Sequence, residues 1–327
     1  MLLSRLTGLE VIRSLELVKH LKALKLRNDY DPLVAPDCFC GIEIEVEGLG
    51  RVLPEINPVI WEAKRDNSLR NGGVEFISRP VAGNDLLQSL DYFFNQLPAH
   101  ALFSPRTSIH VHINVLDLEL ENIECFVILY LLFEKLLYRF VGKDRDRSIF
   151  CVPLQDTYRV SQLITDLRIK LAAGLSVEHE ERRYAGLNLA SLFKFGTFEF
   201  RQLGGTRDMR RVIIWINILQ SLRNHALAWN IEELKQQIMQ LNTTSDYRIF
   251  LSQIFGKASV HFNSDYVDKD MEQGVYAVKH SLTEKNNQTK MKPDNDSSGM
   301  KFLINLNKSV VDYEFEPVVF ANFIGIR

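Results

Sequence analysis

The sequence predicts an α+β domain with a curved, mainly antiparallel sheet. Three observations carry that expectation. Four short segments alternate polar and apolar residues with a period of two, as strands buried on one face do. Among them stand long segments of helical periodicity, over residues 119–141, 160–173 and 209–229. On each of the four strand-like segments, the residues able to bind a cation or a phosphate fall on the polar side. Helices are therefore expected on one face of the sheet, and a polar, concave cleft on the other.

Residues 5–27 read as a basic amphipathic helix or helix pair, with Leu15, Val18, Leu21 and Leu24 or Leu26 as its apolar stripe. Such a stripe packs on its own domain or docks on a partner or membrane surface. A connector from Asp29 to Pro36 follows. Cys38 to Glu47 is the first strand: Ile42, Ile44 and Val46 face a core, and Glu43, Glu45 and Glu47 share the other side. Three like charges on one strand face repel one another. Solvent relieves that repulsion on an exposed strand; hard divalent cations relieve it in a binding site.

In Trp61 to Pro80, Asp66, Asn67 and Ser68 form a polar turn, and Asn71-Gly72-Gly73 signals a hairpin. Val74 to Ser78 is its strand, with Glu75 on one face beside Ile77, close to Asp66 across the hairpin. A helix is expected over Leu86–Leu97 and a strand over Ser108–Val115, where His110, His112 and Asn114 share a face. Two histidines at i and i+2 suit a metal or a phosphate oxygen, and also suit hydrogen-bonded core positions.

After the helix over 119–141, the segment Glu180–Leu192 leads into Lys194–Thr206. There Phe198, Phe200 and Gln202 alternate with Thr197, Glu199, Arg201 and Leu203. Glu199 and Arg201 then stand about 7 Å apart along one strand face. The pair can hold a cation and an anionic phosphate together, or form a salt bridge on a solvated surface. Helices over Ile231–Leu241 and Ser245–Phe255 close the compact part. Asn263 to Met300 turns polar and reads as a mobile loop or insertion, in the position of a lid. Lys301 to Arg327 is strand-like. The expected organisation is a helical extension (1–35), a catalytic domain (36–256), a polar loop or insertion (257–300) and a C-terminal segment packing on the domain (301–327).

The 327 residues are 46% hydrophobic with a formal charge of −2, which suits a large soluble core and gives no support for nucleic-acid binding. The four cysteines have neither a zinc spacing nor a disulfide framework, so free thiols are expected. The most apolar run, Cys125 to Phe133, is bracketed by Glu124 and Glu134 and is too short to span a bilayer. No export signal is read in the opening residues, and a soluble, cytoplasmic protein is expected. No phosphate loop of the GxxxxGK[ST] kind occurs, and no GxGxxG opens a helix.

Five motifs in order then carry a resemblance: Gly-Ile-Glu-Ile-Glu at 41–45; Asp-Asn-Ser-Leu at 66–69 with Gly-Val-Glu-Phe-Ile-Ser-Arg-Pro at 73–80; His-Val-His at 110–112; Arg-Arg-Tyr-Ala-Gly-Leu-Asn-Leu at 182–189; and Thr-Phe-Glu-Phe-Arg at 197–201. Over residues 41–206 the chain resembles the amidoligase family, carboxylate–amine ligases akin to glutamine synthetase and γ-glutamylcysteine ligase. The resemblance implies a glutamine-synthetase-like catalytic domain whose strands line a funnel holding two or three Mg²⁺ or Mn²⁺ ions. Glu43, Glu45, Glu75, His110 and Glu199 would be the metal ligands. His112 and Arg201 would contact the phosphates of ATP. Asp66 would accept the proton of the incoming amine, and Arg201 would also serve catalysis. Ser68, Tyr184 and Asn188 would bind substrate, while Glu47 has no assigned role.

The implied activity is ATP-dependent amide-bond formation between small-molecule or peptide carboxylates and amines. A carboxylate acylates poorly because oxide would have to leave, and phosphorylation to an acyl phosphate supplies a leaving group. Other readings of the same residues are a zinc hydrolase on the His-x-His strand, a guanidine-type phosphotransferase, or a non-catalytic binding protein of the same fold. His179, His225 and His261 fall in helical or polar stretches away from further strands, which weakens the zinc reading.

Overall fold

The alternating segments pair into one sheet. The computed structural model describes residues 32–288 except 51–52, 143–144, 158–162, 164–183 and 263–264. Its strands are β1 (Cys40–Val46), β2 (Trp61–Arg65), β3 (Val74–Ser78), β4 (Ser108–Asn114), β5 (Leu187–Asn188) and β6 (Thr197–Gly204), in the order β2-β3-β1-β4-β6-β5. Every neighbouring pair is antiparallel. The sheet is open and the architecture α+β, as the periodicity predicted. Sequence reading missed β5, which at two residues is too short to show alternation.

Side chains on the core face are almost wholly buried: Ile42, Ile44, Phe76, Val111, Phe198 and Phe200 have no exposed surface. Burying a phenylalanine of this kind stabilises the fold by roughly 2–3 kcal/mol. The covering helices include α1 (Gly83–Gln96) and α2 (Leu120–Val141). Phe93 of α1 packs on Phe76, centroids 5.1 Å apart, and Phe126 of α2 packs on Phe198 at 5.1 Å. Two short helices, α3 (Leu154–Thr157) and α4 (Ser191–Phe195), flank β5 in the chain. They are followed by α5 (Met209–Ala228), α6 (Ile231–Gln240) and α7 (Thr244–Phe255). Capping boxes start α6, from Asn230 and Glu233, and α7, from Thr243 and Asp246.

One irregularity shapes β6. Ile109 lies opposite Leu203 and Val111 opposite Phe200, so Arg201 and Gln202 together face His110. This bulge adds one residue to β6. It turns Leu203 to the core side with Ile109, instead of the polar side that strict alternation assigned it. Gln202 also points to the core side, where its Nε2 donates to the Tyr130 hydroxyl at 3.0 Å. Arg145 donates from Nε to the Gln202 carbonyl and from Nη2 to the Arg201 carbonyl, both at 2.8 Å. Backbone acceptors at the bulge are thereby satisfied.

Much of the described part of the segment expected as a polar loop is helix, and residues 289–300 lie outside the described residues. After a 3₁₀ turn over Gly256–Phe262, α8 runs from Val267 to Gln288. Val267, Met271, Val275, Val278 and Leu282 form its buried stripe. Charged residues on the other face dominate the composition and hid that stripe. Arg139 of α2 holds Asp270 with two hydrogen bonds, and Lys135 donates to Gln273 at 2.6 Å. The expected helix over 160–173 lies outside the described residues except at Leu163, and the segments 5–27 and 301–327 lie wholly outside them.

The contact between α8 and α2 gives a direct test. A Cβ on Gly274 would overlap the carbonyl of Leu132. Gly274→Val should lower the unfolding free energy in a urea titration by about 2–3 kcal/mol, as overpacking does. An unchanged midpoint would mean that α8 does not dock on α2.

Candidate active site

Directly opposed residues of an antiparallel pair share a face. The register therefore assembles the polar side chains that the strands carry. Glu43 of β1 stands opposite His110 of β4, and Glu45 opposite Glu75 of β3. His112 stands opposite Glu199 of β6, which is in turn opposite Asn188 of β5. Gly41 faces His112, and a Cβ there would meet the imidazole's own Cβ at 3.4 Å. A larger residue at 41 would crowd the ring.

Hydrogen bonds join these groups into one network. His110 stands between a carboxylate and a hydroxyl: its Nδ1 lies 2.8 Å from Glu43 Oε2, and its Nε2 lies 2.8 Å from Ser108 Oγ. The Ser108 hydroxyl and backbone N–H both donate to Glu45 Oε2 at 2.7 Å. His112 lies 2.9 Å from Thr197 Oγ1 and 3.2 Å from Glu43 Oε1. Glu199 accepts at Oε2 from Asn188 Nδ2 (2.6 Å) and Ser191 Oγ (2.9 Å), and at Oε1 from Arg201.

The electrostatics follow from crowding. Burial pushes the Glu43 carboxyl up, but His112 and His110 beside it hold it well below its ordinary value. Burial opposes ionisation of Glu199 too, and Arg201 with the two imidazoles keeps it lowered. His112 loses affinity for a proton by burial and regains more from Glu43 and Glu199, so it ends raised. Glu75 lacks a comparable cationic partner. Burial, with the charges of Glu43, Glu45 and Asp66, pushes it up to about 8.

Among the described residues three sets of side chains could each hold a metal ion, their ligand atoms within 4.8 Å of one another: Glu43, His112 and Glu199; Glu43, Glu75 and His110; and Glu45, Asp66 and Glu75. Glu43 belongs to the first two and Glu75 to the last two, so the sets form a chain across the sheet. Oxygen donors with one imidazole, or oxygen donors alone, fit Mg²⁺ or Mn²⁺. The excess carboxylate that drives Glu75 upward is the charge such ions would neutralise.

The structure brings together Glu43, Glu45, Asp66, Glu75, His110, His112, Asn188, Glu199 and Arg201. Asn188 is committed internally: Nδ2 faces Glu199 and Ser191, and Oδ1 accepts from Ala190 N–H at 3.0 Å. Ser68 lies exposed on the hairpin loop, its N–H donating to Asp66 Oδ1 at 2.7 Å. Tyr184 sits at the margin, its ring 6.1 Å from that of Phe150, whose carbonyl accepts from Arg201 Nε at 3.4 Å. His225 and His261 lie away from this network, beside Trp229 and Phe140 respectively.

Sequence reading missed Ser108, Ser191, Thr197 and Phe195, whose ring meets His112 edge-on at 5.8 Å. Ser108 was within reach, since it continues the alternation two residues before His110. Ser191 carries no such signal; α4 alone brings its hydroxyl to Glu199.

The sequence pattern of the family described as "putative amidoligase enzyme" matches residues 59–223, which include β2 to β6 and most of α5. No curated protein matches the chain. Among the described residues, no helix is long and apolar enough to cross a membrane.

Charge crowding predicts a pH dependence. Glu75 titrates near 8 in the fold against an ordinary value of 4.5. A raised carboxyl favours the fold while protonated, so its contribution is lost as pH rises through that interval. His112, also raised, loses its contribution in the same direction. In EDTA the melting temperature should fall by several degrees between about pH 6 and pH 9, and Mn²⁺ should remove most of the fall. A flat profile in EDTA would contradict the crowding.

Proposed function

The chain belongs to the amidoligase family, and from that premise we propose that it is an ATP-dependent carboxylate–amine ligase with a catalytic sheet of glutamine-synthetase type. One observation supports this reading above the others: three side-chain sets that could each hold a cation run in a chain across the sheet, with the Arg201 guanidinium at one end. Hydrolysis by a single zinc ion would need one set. Phosphoryl transfer from ATP uses several charges in line, because negative charge develops on both the transferring group and the leaving diphosphate.

In the proposed reaction an oxygen of the substrate carboxylate attacks the γ-phosphorus of ATP. The bond from that phosphorus to the β–γ bridging oxygen breaks, and ADP leaves. The amine nitrogen then attacks the acyl carbon, phosphate departs, and the nitrogen loses a proton as the amide forms. Glu43, Glu45, Glu75, His110 and Glu199 would hold the Mg²⁺ or Mn²⁺ ions, which would supply charge neutralisation at the phosphates.

The chain's own residues do the rest. Arg201 offers its planar fork to the phosphoryl oxygens, with Glu199 holding it in place. His112, made more basic by Glu43 and Glu199, adds a second donor toward phosphate. Asp66 stands beside Glu45 and Glu75 at the mouth of the hairpin, where one carboxylate oxygen can join theirs on a cation and the other takes the amine's proton. Tyr184 and Ser68, at the margins, contact substrate. Asn188 acts through Glu199, to which its amide is bonded. Small-molecule or peptide acids and amines of the cytoplasm are the proposed substrates.

ADP release measured with Mg²⁺ against a panel of amino acids and amines tests the activity. Glu199→Gln should sharply weaken the Mg²⁺ dependence, since shape is kept while charge is lost. Arg201→Lys should lower turnover more than ATP affinity. Losing one such transition-state contact costs roughly 3–4 kcal/mol, a hundredfold or more in rate. Wild-type ADP formation by both variants would reduce the pair to a structural ion pair.

A further inference from the structure

Glu47 directly follows β1 and ends its row of three alternating glutamates, yet it belongs to none of the three sets that could hold a cation among the described residues. It is 3% exposed, and a buried carboxylate needs partners. Its Oε1 accepts from the backbone N–H of Arg70 at 2.7 Å. Its own backbone is fixed on the far side by two bonds to Leu102, of 3.0 and 2.8 Å. Glu47 thus reaches from a rigid strand into the loop that joins β2 to β3.

That loop carries Asp66. Within it Asp66 N–H donates to the Gly73 carbonyl at 3.3 Å, Leu69 N–H to the Asp66 carbonyl at 3.2 Å, and Ser68 N–H to Asp66 Oδ1 at 2.7 Å. Asn71 and Gly72 take left-handed backbone, φ 53° and 68°, to turn the chain. None of these bonds ties the loop to the rest of the sheet. Among the described residues two side chains from outside do so: Glu47 at Arg70, and Arg106, whose Nη2 donates to the Ser68 carbonyl at 2.7 Å. They grip the loop on either side of buried Leu69.

We infer that Glu47 and Arg106 are positioning residues, which clamp the 66–73 loop so that the Asp66 carboxylate closes an all-oxygen cation set with Glu45 and Glu75. The inference rests on the reading of this acidic cluster as a divalent-cation centre. It separates Glu47 from its two neighbours on β1: they offer oxygens to a cation, whereas Glu47 offers one to a peptide N–H. An amide can replace a carboxylate in the second task, because its carbonyl oxygen still accepts. It cannot replace the charge in the first.

The test is Mn²⁺ binding to the full chain, followed by electron paramagnetic resonance, with thermal unfolding as a folding control. Asp66→Asn should weaken at least one bound ion about tenfold or more, and Glu47→Ala should do the same, the range for losing a group that orients a ligand. Glu47→Gln should stay within about twofold of wild type. The Glu47→Ala/Asp66→Asn double variant should be no weaker than Asp66→Asn, since both remove one interaction. Arg106 is exposed, so Arg106→Ala tests the second arm of the clamp even where Glu47→Ala fails to fold, and it too should weaken that ion.

Loss of binding in folded Glu47→Gln as deep as in Asp66→Asn would make Glu47 a ligand and overturn the inference. Wild-type binding by folded Glu47→Ala, by Arg106→Ala or by Asp66→Asn would also overturn it, as would additive losses in the double variant. A wild-type chain that binds no Mn²⁺ would overturn the cation reading itself, and the inference with it.

Discussion

Four buried or half-buried carboxylates, Glu43, Glu45, Glu75 and Glu199, share one face of one sheet, and much of the structure serves to keep them there. Removing such groups from water costs several kcal/mol each unless partners compensate. Compensation is uneven across the sheet. Glu199 has Asn188, Ser191 and Arg201; Glu43 has two imidazoles; Glu45 has the Ser108 hydroxyl and N–H. Glu75 has the least, and its carboxyl rises accordingly. The gradient runs from a satisfied end at β6 to an undersatisfied end at β3, where Asp66 adds a further acid. Negative charge is least compensated at that end.

The β6 bulge sets the other end. Without the extra residue, strict alternation would carry Leu203 onto the polar face beside Arg201. With it, Leu203 returns to the core opposite Ile109, and Gln202 reaches Tyr130 behind the sheet. Arg145 binds the carbonyls of both bulge residues. Arg201 is thus braced through its backbone from behind, and through Glu199 and the Phe150 carbonyl in front. A guanidinium fixed at several points is held in one geometry.

The helix layer explains why so polar a face is tolerated. Strands β1, β4 and β6 bury their apolar sides; α1 packs on β3 at Phe76, α2 on β6 at Phe198, α5 reaches β1 and β4 through Gln220 and Arg223, and α8 covers α2 from outside through the close approach at Gly274. The core thus lies wholly on one side of the sheet, which frees the other side to carry charge in place of packing.

Much of this was legible in the residues. Period-two alternation placed Glu43, Glu45, Glu75, His110, His112, Glu199 and Arg201 on polar strand faces, because side-chain direction along a strand is a local property of the backbone. Helical periodicity placed α2 and α5 for the same reason. The stripe of α8 was present as Val267, Met271, Val275, Val278 and Leu282, but averaging over a charged segment concealed it. Other features depended on pairing between distant segments. No local rule places Glu43 opposite His110 or Glu45 opposite Glu75, and none inserts the bulge at Arg201 and Gln202. The division of labour along β1 is of this second kind: three glutamates alternate identically in sequence, and only the loop folded against the last of them gives Glu47 a peptide N–H to hold.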